Sequence, residues 1–139
     1  MIKRIVYSFI FLSFTACSGF AIEEKILDNY YLIAGDIGEE CSLSYKVSDD
    51  DFGTVIGATV FAIGYNKQFI IAKQHPRTFP NPPNKKIINY YILPIKRGMD
   101  WKTKNGLVGP LSYDQFVVKR KELKINNELK FTKEIEYLK

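Results

Sequence analysis

The feature that most constrains this chain is the run from Val60 to Gln74, where two apolar stretches are separated by only Tyr65-Asn66-Lys67. So short a connection forces the flanking segments to return antiparallel, as a β-hairpin. Phe61, Ile63, Phe69 and Ile71 are expected to supply one buried face. The intervening positions Val60, Ala62, Ile70 and Ala72 are apolar too, so the hairpin is expected to be central in its sheet and covered on both sides.

The surrounding sequence repeats the pattern. Between residues 29 and 109 the chain is rich in Tyr, Ile, Val, Phe and Thr, which suit a pleated, half-buried surface, and is cut at intervals by Gly, Asn, Asp and Pro. Strands are expected at Tyr30 to Ala34, Ser42 to Val47, Val55 to Tyr65, Gln68 to Gln74, Ile87 to Ile95 and Leu107-Val108. Gly35-Asp36-Ile37-Gly38 and Ser48-Asp49-Asp50-Asp51 read as turns. Arg77 to Asn84 carries closely spaced prolines, which lack the N–H of a ladder and restrict φ, so it reads as a stiff loop. Pro94 points to an edge position or a bulge.

One helix is expected after Gly109-Pro110-Leu111. Ser112 is a suitable N-cap with Gln115 three residues on, and Phe116, Val117 and Leu123 follow as an apolar stripe, ending near Ile125 before Asn126-Asn127. This helix is the natural cover for one face of the hairpin. The tail Leu129 to Leu138 fits a short helix or a final strand equally. The expected fold class is α+β: a mainly antiparallel sheet of five to six strands with a C-terminal helix packed on it.

The first residues have a different character. Lys3 and Arg4 precede the apolar run Ile5 to Phe14, and small residues follow, which is the three-part layout of an export leader. The run is too short to span a membrane, which takes about 20 apolar residues. Phe14-Thr15-Ala16-Cys17 resembles the lipobox of bacterial lipoproteins, with Phe14 where Leu is usual. That resemblance implies cleavage before Cys17, lipid attachment to Cys17, and an exported domain anchored to the bacterial membrane. Ser18 in place of Asp after the cysteine points to the outer membrane where a source has two. A competing reading has cleavage after Ala21 and a secreted domain. The preferred organisation is a leader over residues 1–16, a lipidated cysteine and tether over 17–28, and one β-rich domain over 29–139, since that length suits one core and not two.

Charge and cysteines narrow the partners. The formal charge of +5 counts Lys3 and Arg4, which leave with the leader, so the remaining excess is mild. Lys119-Arg120-Lys121 and Lys124 are interleaved with acidic and apolar residues and read as a solvated helix face, not a nucleic-acid footprint. With Cys17 lipidated, Cys41 is unpaired and opens an alternating stretch that turns it inward as a small hydrophobe. One histidine and one remaining thiol make no metal-type spacing, and no metal or other cofactor is expected. Asp49-Asp50-Asp51 lacks the alternating ligands and terminal Glu of a calcium loop.

His75 cannot run triad chemistry without an activated nucleophile and an orienting acid, and Ser42, Ser44 and Ser112 lack the glycines of a nucleophile elbow. The plain reading of His75 is a strand-end residue bonded to nearby backbone. The functional reading has Lys73, His75 and Arg77 forming a basic rim beside the proline loop, with Phe79 and Tyr90 as aromatic contacts for a partner.

Taken in order, Ala62 to Pro76, then Tyr90-Tyr91-Ile92-Leu93, then Gly109-Pro110-Leu111 with Phe116 and Lys119-Arg120-Lys121-Glu122-Leu123, these segments resemble an uncharacterised group of small bacterial lipoproteins defined only as a domain of unknown function. The resemblance covers most of residues 30–125. It implies a one-domain envelope protein and carries no catalytic residue with it. The leading expectation is a non-enzymatic, lipid-anchored envelope module that binds a protein or cell-wall partner. The alternatives are an immunity or inhibitor lipoprotein, and a cell-wall hydrolase in which Asp36, Glu39 or Glu40 meets His75 in a cleft.

Overall fold

The computed structural model describes residues 19–95, 104 and 106–139. Cys17 and the leader lie outside the described residues. Among the described residues, two antiparallel sheets and one α-helix make up the fold, which is α+β. The first sheet has the order β1-β2-β3-β4, from β1 (Ile22–Leu27), β2 (Tyr30–Ala34), β3 (Ser42–Lys46) and β4 (Phe52–Ile56). The second contains β5 (Val60–Tyr65), β6 (Phe69–Gln74), β7 (Asn89–Pro94), β8 (Val108–Leu111) and β9 (Lys133–Glu134). Its order is β8-β7-β6-β5-β9. Helix α1 (Tyr113–Glu122) packs on β7 and β8.

The single long strand expected over Val55 to Tyr65 is two strands. Gly57-Ala58-Thr59 interrupts it, and the chain leaves the first sheet at Ile56 and joins the second at Val60. Thr59 is fully buried and exchanges backbone hydrogen bonds with His75, 2.9 Å in each direction, which fixes where β5 begins. Strand β1 occupies Ile22–Leu27, inside the stretch read as a tether. Its charges Glu23, Glu24 and Lys25 obscure it in the sequence, and an edge strand tolerates them.

The β5–β6 hairpin has the expected short turn, in which Asn66 Oδ1 accepts from the backbone N–H groups of Gln68 and Phe69, both at 2.8 Å. Its faces differ from expectation. Tyr65 pairs with Ile70 and Ile63 with Ala72, so odd residues of β5 share a face with even residues of β6. Phe61 and Ile63 join the core between the sheets, with Leu32, Leu43, Ile56, Ile70 and Leu93. Phe69 and Ile71 face the other way and pack with Ile92, Phe116, Ile125 and Leu129. The hairpin is thus covered on both sides, by the first sheet and by the helix layer.

Cys41 is a free thiol with no exposed surface, as its inward phase predicted. Pro94 ends β7 paired with Phe69 of β6 but beyond the last pairing with β8, at Ile92 and Val108, so it has a ladder on one side only, as at a sheet edge. The tail resolves the choice between helix and strand by using both: β9 pairs with Ala62 and Ile63, and a single 3-10 turn follows at Glu136–Leu138.

Candidate functional site

Helix α1 starts where its local chemistry dictates. The Ser112 hydroxyl accepts from the Gln115 N–H at 3.3 Å, while the Gln115 carboxamide oxygen accepts from the Ser112 N–H at 2.9 Å. This start sets the phase of the helix, so that Phe116 is buried on the sheet while Arg120, one turn on, lies at its margin. Arg120 then binds the returning chain: its Nη2 donates to the carbonyls of Asn126 at 2.9 Å and Leu129 at 2.8 Å. The tail is drawn back over the sheet, and Phe131 reaches the rings of Phe116 and Tyr90.

Between helix, sheet and tail lies a cleft of about 390 Å3. Four aromatic side chains line it: Tyr90, Tyr113, Phe116 and Phe131. Tyr90 stacks on Phe116 with centroids 4.9 Å apart, and Phe116 and Phe131 are 5.9 Å apart. Four basic side chains, Lys73, Arg120, Lys121 and Lys130, border the same space, and among the described residues no Asp or Glu lines it. The Lys73 ammonium lies 4.5 Å from the Phe131 ring centroid, and Arg120 lies 5.5 Å from that of Phe116.

The charges around the cleft do not cancel. Lys73 has Glu134 at 3.8 Å, but the same carboxylate accepts from Lys139 at 2.8 Å. That hydrogen bond, opposed in part by desolvation, holds the Glu134 carboxyl below its ordinary 4.5, so one ionised acid serves two lysines. Burial, and after it the neighbouring Tyr113, push the Tyr90 phenol above 10.0 and keep it a neutral hydroxyl. Aromatic faces with fixed cations are equipped to hold a ligand by stacking and charge.

The five residues expected to form one rim fall into three places. Lys73 and Tyr90 are directly paired across β6 and β7, so both project into the cleft. His75 turns into the interior instead. It is 2 % exposed, stacks on Phe61 at 4.2 Å, and hydrogen-bonds through Nδ1 to the Ile87 carbonyl at 2.7 Å. Its Nε2 is buried without a partner. Arg77 and Phe79 remain on the proline loop, where Arg77 Nε donates to the Asn81 carbonyl at 3.1 Å and Phe79 is 78 % exposed.

Among the described residues, neither ring nitrogen of His75 meets a carboxylate, since Nδ1 bonds the Ile87 carbonyl and Nε2 has no partner. Glu40 accepts from the Asp36 N–H at 3.2 Å, and the Glu39 carbonyl accepts from the Thr59 hydroxyl. Among the described residues, no group of three or more His, Cys, Asp or Glu side chains gathers in a way that would hold a metal ion.

The family model described as "Protein of unknown function (DUF3997)" matches residues 27–136. The chain belongs to this family. The match takes in every element from β2 to β9 and so includes the whole cleft. No curated protein and no solved structure matches the chain.

The sequence singles out Lys73 and Tyr90 together but does not join Phe116, Arg120, Lys121, Lys130 and Phe131 to them in one cleft. The signal that pointed to them was Gly64. A glycine inside an otherwise apolar strand marks close approach of another backbone. Here the backbone is the tail, because a Cβ on Gly64 would overlap the Lys130 carbonyl.

Proposed function

We propose that this chain is a non-enzymatic binding module, held at the bacterial envelope by lipid on Cys17, and that it engages its partner through the aromatic and basic cleft between α1, β6, β7 and the tail. The observation that carries this reading is the composition of that cleft: aromatic faces and cations line it, and among the described residues no carboxylate, thiol or histidine does. Such a surface is equipped to retain a ligand by stacking and charge. The only histidine stacks on Phe61 in the core. Among the described residues, no helix is long and apolar enough to cross a membrane, and the anchor is assigned to the lipid because of the Phe14-Thr15-Ala16-Cys17 sequence.

The test is affinity capture from detergent-solubilised envelopes with the full chain, comparing the native protein with a Tyr90→Ala variant of matched melting temperature. A stoichiometric envelope component retained by the native protein and lost with Tyr90→Ala supports the reading. Equal retention by both locates binding elsewhere. Release of soluble wall fragments by the purified protein overturns the non-enzymatic assignment.

A further inference from the structure

We infer that the cleft takes a ligand with a flat, ring-sized apolar body bearing one or more carboxylates. This rests on the reading of the chain as a binding module. Three features of the cleft specify the ligand class.

The first is size. A space of about 390 Å3 is at the small end of the ~300–1,000 Å3 typical of small-molecule sites, so it admits one ring system and its substituents. The second is the floor. The Tyr90 ring stacks on Phe116 with planes 30° apart, and Phe131 stands edge-on to Tyr90 at 62°, so ring faces and ring edges together line the floor and suit an aromatic partner over a branched aliphatic one.

The third is the border. Lys121 and Lys130 are exposed and, among the described residues, pair with no carboxylate. Arg120 spends Nη2 on two tail carbonyls and leaves the rest of its guanidinium without a hydrogen-bond partner among the described residues. Lys73 shares its one acid among the described residues, Glu134, with Lys139. The cations come from three elements, β6, α1 and the tail, so the positive charge is not confined to one wall of the cleft. A carboxylate satisfies them with charge-assisted hydrogen bonds.

The same chemistry has two sources, a free aromatic acid or an aromatic side chain flanked by acidic residues in a peptide. Calorimetric titration of the full chain in detergent distinguishes them. The probes are naphthalene-2-carboxylate against naphthalene-2-carboxamide, and the capped tripeptide Glu-Phe-Glu against capped Gln-Phe-Gln.

The expected result is that the acidic member of at least one pair binds about tenfold more tightly than its neutral counterpart, the scale of one charge-assisted bond. The preference is expected to disappear in a Lys121→Glu, Lys130→Glu double variant, whose exposed substitutions leave the melting temperature unchanged. Preference in only the naphthalene pair assigns a free acid, and in only the peptide pair a protein segment. Equal binding of acid and neutral probes, no binding of any probe, or preference retained by the double variant overturns the inference. Loss of partner capture by Tyr90→Ala would stand independently of those outcomes, so the module reading and the ligand class fail separately.

Discussion

Gly64 on β5 lies directly beneath the backbone carbonyl of Lys130, with room for a hydrogen and not for a methyl group. The contact is what lets the tail cross the hairpin, where Thr132 N–H then donates to the Ile63 carbonyl at 3.1 Å and Ile135 N–H to that of Phe61 at 2.8 Å. Neither partner can yield by rotating a side chain, because the obstruction is main chain on both sides. Gly64→Ala is therefore expected to destabilise the fold by about 1–3 kcal/mol, the range for overpacking, and to displace Phe131 from the cleft. A urea titration checks the first effect. Loss of binding at a temperature where the variant is still folded checks the second.

His75 makes a packing contact and one hydrogen bond, and it leaves Nε2 buried and unpaired. His75→Ala removes the ring from beside Phe61 and is expected to cost about 2–4 kcal/mol, as for other large-to-small changes in a core. His75→Phe keeps the stack and discards the orphaned nitrogen, giving up only the bond to Ile87. It is expected to be the less damaging of the two, by at least ~1 kcal/mol. Partner capture should be unchanged by His75→Phe, since the ring faces away from the cleft. A large loss of capture without loss of stability would place His75 in the interface after all.

Local chemistry made some of this legible in the sequence. The Asn66 turn and the Ser112–Gln115 box are each completed within a few residues, so no distant contact can overrule them. Cys41, just before β3, is buried as the apolar stretch it opens predicts. The two faces of the hairpin were not legible, because the register is irregular between Val60 and Ala62 and alternation alone cannot say which residues of facing strands share a side. The cleft was half legible. Lys73 and Tyr90 are strand neighbours, but Phe131 reaches them only through a tail whose path depends on Arg120 and Gly64.

The capping box offers a way to loosen the cleft from a distance. Ser112→Ala removes the acceptor for the Gln115 N–H and is expected to cost about 1 kcal/mol. Because α1 carries both Phe116 and Arg120, fraying of its first turn should weaken ligand binding as well as stability. Ser112→Asp keeps an acceptor at the same position and adds a charge favoured at a helix N-terminus, so it should restore both. Circular dichroism and the titration described for the cleft read the two effects in parallel.

Cys41 gives the fold a distinct response to alkali. Burial pushes its thiol up from 9.0 to about 12, and the Tyr30 phenol rises from 10.0 to about 12, chiefly through burial and then through Tyr45 and Asp28. In the unfolded chain both groups ionise at their ordinary values, so above pH 9 the unfolded state binds fewer protons than the folded one. The stabilisation from the raised pKa values is therefore complete below pH 9 and lost progressively as pH climbs through about 12. Urea midpoints measured across that window should fall steadily. Cys41→Ala should start less stable but lose less over the first part of the fall, where the thiol, with the lower ordinary value, contributes most. The same burial keeps the native thiol protonated and inaccessible, so at pH 8 its reaction with a disulfide reagent should proceed only as fast as the protein opens. Rapid modification of the folded chain would mean that Cys41 is not in the core.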